Sequence, residues 1–312
     1  MWKYVLKRLV MMIAVVLGVA VLIFTIMYFT PGDPAQIILG SSATKEQIDA
    51  LHETMGLDRS FPEQLGSFLY HTFVKFDLGT SYISGRSITG EILYRLPYTL
   101  LLAVLVMVLS TILGVPLGIV AAVHQDGWQD TAAIAFSLLG VSIPGFWLAL
   151  MLVLVFSVEL GILPAYGIGG WQYYILPAVS TALSGLAINA RQTRSAMLDV
   201  IRSDYVTTAK AKGVSERDVI YRHALPNALI PIITVIGGSF AASLGGTVIA
   251  ESIFTIPGIG LYMTNAISNR DYPAVRGSVV ILAVFFSLVM LLVDLIYAFI
   301  DPRIKAQYSG KG

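Results

Sequence analysis

The sequence contains no cysteine, and this absence removes several classes of protein at once. Without cysteine, the chain of 312 residues has no disulfide framework, no thiolate metal site and no thiol nucleophile. Charge is scarce as well, because 12% of the residues are charged, about half the share found in soluble globular domains. The formal net charge is +1, so there is no basic excess of the kind that binds nucleic acid.

Motifs of catalysis and nucleotide binding are also missing. No G-x-x-x-x-G-K-[ST] phosphate loop occurs, and the terminal SGKG lacks its spacing and its following hydroxyl. The HETMG segment places Gly56 where a zinc motif needs a second histidine, and the four histidines are scattered. GIGLYMTN lacks the strand context of a dinucleotide site. We therefore predict a chain that is not an enzyme, with no catalytic residue, metal site or cofactor of its own.

What the sequence has instead is long apolar runs. Hydrophobic residues make up 56% of the chain, and the mean hydropathy is +0.77. Runs of roughly 18 or more apolar residues indicate transmembrane helices. We predict an all-α integral membrane protein with six transmembrane helices, over 9–29, 97–123, 131–158, 174–190, 228–249 and 277–300. The fourth run is the weakest, because proline and polar residues interrupt it.

The first run has a competing interpretation as a signal peptide. A signal peptide has an apolar core of about 7–15 residues followed by a small-residue cleavage site. Here the run over 9–29 leads straight into TPGDPA. We therefore predict a retained anchor over 1–30.

The positions of the basic residues predict the orientation. Lysine and arginine near short loops mark the cytoplasmic face. With the N-terminus inside, the cytoplasmic parts hold thirteen of the twenty basic residues: Lys3, Lys7, Arg8, Arg191, Arg194, Arg202, Lys210, Lys212, Arg217, Arg222, Arg303, Lys305 and Lys311. We expect both termini to be cytoplasmic, and we expect an extracytoplasmic segment over 31–94, a membrane core over 95–301 and a cytoplasmic tail over 302–312.

The extracytoplasmic segment predicts short amphipathic helices. Thr44 with Gln47 has the spacing of a capping box, and Ile48, Leu51 and Met55 then share one helical face. A second apolar stripe follows Pro62, a residue suited to a first helical turn: Leu65, Phe68, Leu69 and Phe73. Such helices lie on the bilayer or cover the bundle, or they contact a soluble partner.

A basic island over 204–226 separates two membrane-length runs. The pattern predicts two short helices with Gly213 as the left-handed residue between them and Ser215 as the cap of the second. The second helix is predicted to end near Leu225, because Pro226 disfavours helical backbone before it. The island is either an ordinary interfacial loop or a docking element whose arms lead directly into transmembrane helices.

The residues of the island resemble the cytoplasmic coupling signature of ABC importer permeases. They are most similar to the peptide and nickel branch, which has Y-x-x-x-A-x-A-K-G followed by H-A-x-x-N-A-x-x-P. The matching residues are Tyr205, Ala209, Ala211, Lys212, Gly213, His223, Ala224, Asn227, Ala228 and Pro231. The resemblance implies that the first eight of these couple the chain to an ATPase.

Further segments resemble the same branch, in the same order, from residue 30 to residue 303. They are TPGDP, DLGTSY, RLPYTLLLA, ESIFTIPGIG, RDYPAV and DPR. The long segment after the first span resembles the first of the two permeases in these systems. The resemblance implies the type I ABC importer permease fold, with a pair of cytoplasmic coupling helices.

The resemblance also implies partners and a location. These are a homologous second permease, two ATP-binding subunits that carry the ATP and magnesium, an extracytoplasmic substrate-binding protein, and the lipid bilayer of a bacterial or archaeal inner membrane. The implied substrate is a dipeptide or oligopeptide. Nickel, a metallophore or glutathione is an alternative, and a stand-alone secondary transporter is an alternative of another class.

Polar residues inside the predicted spans are candidates for the transport path. Ser180, Ser184, Asn189 and Asp294 could line it, since intramembrane polar groups are functional candidates. The three residues of the fourth span could equally let helices pack closely. Asp294 could instead face water or pair with Arg191 or Arg194.

The external ends of the spans carry two further features. Glu159 and Glu251 are predicted to be interfacial. The glycine- and proline-rich TIPGIG segment is either a plain turn or an external gate formed by Pro257, Gly258 and Gly260, since irregular backbone is tolerated at membrane depth only within protein or beside water.

Overall fold

The computed structural model describes residues 2–40 and 42–300, with the side chains of 297–300 and of residues 2 and 3 left aside. The predicted tail and the DPR motif at Asp301 lie outside this part of the chain. The helices are α1 (Trp2–Phe29), α2 (Pro34–Leu39), α3 (Lys45–Met55), α4 (Phe61–Phe73), α5 (Ile88–Val123), α6 (Trp128–Ser142), α7 (Gly145–Leu152), α8 (Ile175–Ile201), α9 (Asp204–Ala211), α10 (Glu216–Asp218), α11 (Leu225–Ile253), α12 (Ile259–Ser268) and α13 (Tyr272–Ile300). Two π-helical stretches, Val153–Glu159 and Val219–Ala224, and a 3₁₀ turn at Trp171–Tyr174 complete the description.

Four helices in the described part of the chain are long and apolar enough to cross a membrane. They cover Tyr4–Phe29, Ile88–Val123, Glu216–Ile253 and Tyr272–Ile296, and a bent pair of helices would make a fifth. The fourth predicted span lies in α8, which at 27 residues is long enough to cross but too polar to pass the same test. This helix packs between α5, α6, α7 and α11. A helix covered by protein on most sides needs fewer apolar residues than one facing lipid.

The third predicted span is not one continuous helix. The chain bends by 94° between α6 and the helix Gly145–Glu159. Ile143 has an extended backbone (φ −77°, ψ 121°) because the ring of Pro144 disfavours helical backbone in the residue before it. The prediction of an unbroken helix over 131–158 was therefore wrong at this point.

The second helix of the basic island does not end near Leu225 as predicted. Leu225 has helical backbone (φ −56°, ψ −44°), and one helix runs from Glu216 to Ile253. The π-helical stretch Val219–Ala224 immediately precedes the proline, and such a stretch widens the backbone locally. The wider turn accommodates Pro226 without ending the helix.

The centre of the bundle is the contact between α5 and α8. Gly114 and Gly118 of α5 lie directly on α8: an added Cβ would come 2.7 Å from the Leu186 carbonyl oxygen and 2.4 Å from the Ala190 carbonyl oxygen. Small residues let transmembrane helices approach closely and gain packing contacts. The low side-chain volume on α5 therefore fixes where α8 sits.

The segment between α1 and α5 forms the capping box that was predicted for it. Thr44 and Gln47 form the capping box of α3. Phe68 of α4 stacks on Phe24 of α1, with ring centroids 5.4 Å apart. Phe68, Leu69 and Phe73 pack against the buried cluster formed by the outer ends of α1, α5 and α13. The apolar stripe of α4 thus covers the bundle.

Candidate functional site

The basic island has a packed inner face. Val206, Ala209, Val219 and Ala224 are buried in one cluster with residues of α5, α8 and α11. The spacing of Val206 and Ala209 places both on one side of α9. The two short helices are therefore attached firmly to the ends of three long helices, so a force applied to the island acts on those helices.

The outer face of the island is a glycine turn in solvent. Gly213 has φ +78°, which confirms the predicted left-handed residue, and an added Cβ would meet nothing within 4 Å. The Ser215 side chain accepts a hydrogen bond from the Asp218 amide (3.2 Å), as its predicted capping role requires. The turn therefore has the predicted backbone and cap, and no part of the described chain covers it.

The eight residues assigned to coupling divide between these two faces. Ala209 and Ala224 are buried and attach the helices to the bundle. The remaining six are exposed and form the outer face: Tyr205, Ala211, Lys212, Gly213, His223 and Asn227. The Asn227 amide donates to the His223 carbonyl oxygen (2.9 Å) at the start of α11.

An ion pair fixes the turn between α5 and α6 beside the island. The Arg194 guanidinium of α8 binds Asp130 of α6 through two contacts, at 2.5 and 2.6 Å. The Asp130 side chain is buried, at 3% exposure, and also accepts from the Asp126 amide (3.0 Å). Bidentate arginine–carboxylate pairs set geometry as well as adding energy. The pair joins the N-terminal end of α6 to the C-terminal half of α8.

A cavity of about 290 Å³ lies between α5, α7, α8 and α11. Its wall is built from small residues, among them Ser110, Ser180, Ser184, Ser239 and Ser243. Two of the four predicted path residues, Ser180 and Ser184, are therefore brought together on one cavity wall. Ser180 donates to the Pro177 carbonyl oxygen (3.1 Å), so its hydroxyl is partly used within α8.

The other two predicted path residues lie elsewhere. Asn189 is buried next to the cavity, and its Oδ1 accepts from Ser239 (3.3 Å). Asp294 pairs with Arg8 of α1 at 2.9 Å; among the alternatives left open, it therefore has a basic partner, but this is Arg8 and neither Arg191 nor Arg194. The sequence offered no register between α1 and α13, and only their packing brings these two residues together.

The segment after α11 encloses a buried acid. Glu251 has no exposed surface, so the prediction of an interfacial position for it was wrong. Its Oε2 accepts from the Leu261 amide (3.1 Å). An added Cβ at Gly258 would lie 2.3 Å from the Glu251 Cδ, and one at Gly260 would lie 2.6 Å from the Val248 Cα. The carboxylate thus fills the space left by two glycines.

The proposed gate residues therefore form a closed, packed turn. Ile256 and Ile259 are fully buried, and the Ile259 amide donates to the Thr99 hydroxyl of α5 (2.9 Å). The Phe254 carbonyl oxygen accepts from the Gly167 amide (3.0 Å). Pro257, Gly258 and Gly260 do not line the cavity between the helices.

Two family models match this chain over most of its length. The family described as "Binding-protein-dependent transport system inner membrane component" matches residues 114–306. A second model, for the N-terminal part of such membrane components, matches residues 1–103. The chain belongs to this family. It is therefore a multi-pass permease subunit of an ABC importer in the inner membrane, and the permease family is not itself catalytic.

Curated relatives match the permease from end to end. The glutathione transport system permease protein GsiC of Pectobacterium atrosepticum is 40% identical over 98% of this chain and 99% of its own. The dipeptide transport system permease protein DppB of Alkalihalophilus pseudofirmus is 40% identical over 98% and 100%. A putative peptide transport system permease protein of Brucella abortus is 41% identical over 98% and 99%.

Solved structures share the fold of the permease. An inward-facing form of the MetNI methionine ABC transporter matches with a TM-score of 0.59 and 17% identity, over 68% of this chain and 96% of that chain. An amino acid ABC transporter matches with a TM-score of 0.52 and 15% identity, over 69% and 94%. At such low identity these matches show the fold alone, and they support the type I importer architecture.

The pattern of the sequence missed three functional candidates of the permease. Asp130, Arg8 and Glu251 were not assigned to the site, although each makes a specific polar contact in the bundle. Asp130 could have been found from the sequence, because it is an acidic residue directly before an apolar run and would need a basic partner if that end of the helix were buried. The partners of Arg8 and Glu251 depend on how distant helices pack.

Proposed function

We propose that this permease is one of two membrane subunits of an ATP-driven importer for small peptides, with both termini in the cytoplasm. It forms half of the translocation path. Two ATP-binding subunits supply the energy, and they hold the ATP and magnesium. An extracytoplasmic binding protein delivers the substrate.

The observation that carries the proposal is the shape of the basic island. Its outer face is an exposed glycine turn, and its inner face is buried against α5, α8 and α11. An ATPase that moved the turn would move these helices, and they line the cavity with Ser180 and Ser184. Coupling through this element requires no nucleotide site in the permease, in keeping with a sequence that has no phosphate loop.

The relatives support a peptide as the substrate. Their names include glutathione, dipeptide and peptide transport, and all three kinds of substrate carry peptide or amide bonds together with carboxylates. No comparable observation favours nickel. A stand-alone secondary transporter would need an intramembrane acid for its coupling ion; Asp294 is paired with Arg8, and Glu251 is enclosed by the turn that follows α11 and accepts from the Leu261 amide.

Reconstitution tests the proposal. The permease would be placed in proteoliposomes with the second permease, the ATPases and the binding protein encoded beside it, and uptake of labelled dialanine, glutathione and nickel would be compared. We expect ATP-dependent uptake of at least one peptide and no ATP hydrolysis by the permease alone. Uptake of a peptide by the permease without ATPases, or uptake of nickel alone, would refute the proposal.

A further inference from the structure

Two cavities meet between the extracytoplasmic helices and the outer end of the bundle. One has a volume of about 350 Å³ and the other about 330 Å³. Both are lined by Phe24 of α1, Gln64 of α4, Tyr82 and Arg276 of α13. Each falls in the size range of small-molecule sites, roughly 300–1,000 Å³. We call this space the cap cavity.

Arg276 is the charged group at the junction of the two volumes. Its guanidinium carbon lies 5.3 Å from the ring centroid of Phe24 and 5.2 Å from that of Phe68. The Tyr82 hydroxyl faces the same guanidinium. The Nε of Arg276 has no hydrogen-bond partner among the described residues. Within that part of the chain, no carboxylate forms an ion pair with Arg276. A buried cation without a counter-charge is costly, so an anion bound beside Arg276 would stabilise it.

The acids near the cap cavity are committed to other partners. Both oxygens of Asp271 are used, by the Ser81 hydroxyl (2.5 Å) and by the Tyr82 amide (3.1 Å). Asp33 binds His52 at 2.7 Å, and although burial opposes it, this contact holds the pKa of Asp33 below its usual value. Asp77 accepts from the Gly79 amide (2.9 Å).

The larger volume carries more positive than negative groups. Its charged lining residues are Arg59 and Arg276, against Asp77 alone. Both volumes also contain the Gln64 side chain, whose amide nitrogen donates to the carbonyl oxygens of Leu57 and Arg59. Its Oε1 is not needed for those contacts. The lining therefore combines a cationic centre with polar groups and aromatic walls, as in sites that orient a small organic anion.

We infer that the cap cavity binds a small soluble molecule through a carboxylate group, with Arg276 as the charge partner of that carboxylate. A planar guanidinium matches a carboxylate fork, and the rings of Phe24 and Phe68 hold the guanidinium in place. A lipid headgroup would bring the same chemistry with an acyl chain, but residues of α3 and α4 line the cap cavity and polar groups make up more than half of its walls. The inference is independent of the importer assignment, because it concerns binding and not transport.

Saturation-transfer NMR on the full-length permease tests this inference. The permease would be embedded in nanodiscs of neutral phosphatidylcholine, and the probes would be N-acetylglycine and its uncharged amide. We expect saturation transfer to N-acetylglycine and little to the amide. Arg276→Gln should weaken binding of the acid by at least about tenfold, the loss expected for one charge-assisted contact. Arg86→Gln is the matched control, because this external arginine is 75% exposed and lies outside the cap cavity.

A second variant and a second lipid composition complete the test. If Arg276→Gln fails to fold, Arg276→Lys keeps the cation but loses the planar fork, and we expect it to bind N-acetylglycine several-fold more weakly than the wild type. Nanodiscs containing phosphatidylglycerol distinguish a lipid headgroup. Equal transfer to acid and amide, unchanged binding in both Arg276 variants, or loss of the acid signal whenever phosphatidylglycerol is present would overturn the inference.

Discussion

Glycine is required at two places in this permease for different physical reasons. Gly213 has a positive φ in open space, so its requirement is conformational. Gly258 has an extended backbone (φ −87°, ψ −177°), but its missing side chain leaves room for the Glu251 carboxylate. The first requirement concerns the backbone, and the second concerns packing.

Substitutions at Gly213 separate backbone strain from docking. Gly213→Val places a β-branched residue at positive φ, which costs roughly 1–2 kcal/mol. Gly213→Asn also adds a side chain, but asparagine tolerates a positive φ. We expect both variants to insert normally. If the turn docks onto an ATPase, both should lose peptide uptake and substrate-stimulated ATP hydrolysis in the reconstituted complex.

Gly161→Val is the matched control for Gly213→Val. Gly161 also has positive φ (+64°) and open space around it, but it lies near the opposite end of the bundle. Its variant should carry the same strain and keep coupled transport. Full transport by both Gly213 variants would show that the basic island only connects two helices and does not dock onto an ATPase.

Substitution of Gly258 tests the turn that encloses Glu251. In Gly258→Ala the new Cβ would overlap the Glu251 carboxylate at 2.3 Å, and overpacking of this kind costs roughly 1–3 kcal/mol. We expect a lower thermal unfolding temperature in detergent. Gly66→Ala in α4 is the control, since nothing lies within 4 Å of its Cβ and alanine is the better helix former. Equal stability of the two variants would contradict the packed turn.

Among whole elements, α8 depends on polar contacts as well as on apolar packing. It is the least apolar of the long helices in the described chain, and it is held on one side by the glycines of α5 and on another by the Asp130–Arg194 pair. The same helix carries Ser180 and Ser184 on the cavity wall and leads into the basic island. Its position therefore links the cavity to the coupling surface.

A double-mutant cycle measures the link between α6 and α8. Asp130→Asn leaves Arg194 without its charge partner, and we expect a loss of roughly 1.5–3 kcal/mol in unfolding free energy. The double variant Asp130→Asn/Arg194→Gln removes both charges and should lose less than the sum of the single variants. The measurement is thermal or denaturant unfolding in detergent. Strict additivity would show that the pair is not coupled.

For the molecule as a whole, the distribution of charge decides which side faces the cytoplasm. The Arg8–Asp294 pair joins α1 to α13, so the first and last long helices of the described chain lie side by side with Arg8 near the N-terminal end. The start of α1 and the end of α13 should therefore face the same compartment. The positive-inside rule predicts that this compartment, and the one that the basic island faces, is the cytoplasm.

Reporter fusions test this orientation. An alkaline phosphatase fused after Ser60 should be active outside the cytoplasm, and a fluorescent protein fused after Ser215 should fluoresce inside it. We expect the two positions to lie on opposite sides, because the predicted spans would cross the membrane once before Ser60 and four times before Ser215. A phosphatase active at Ser215 would reverse the orientation and remove the ATPase contact.

Features that depend on neighbouring residues could be predicted from the sequence. Apolar runs predicted α1, α5, α11 and α13, and the spacing of Thr44 and Gln47 predicted a capping box. The φ of Gly213 followed from one glycine after a helical run. Each of these features depends on local backbone preference or on the transfer of a continuous segment into lipid. The residues of that one segment are therefore enough to predict it.

The tertiary structure alone decided the partners of the buried charges and the course of the backbone at two prolines. Pro144 bends the chain while Pro226 lies within a continuous helix, and the difference arises from the π-helical turn before the second. Glu251 is buried because two glycines of the following turn leave room for its carboxylate, and Asp294 is paired because α1 lies against α13. The free energy of a buried charge depends on which distant groups reach it, and that is set only when the helices pack.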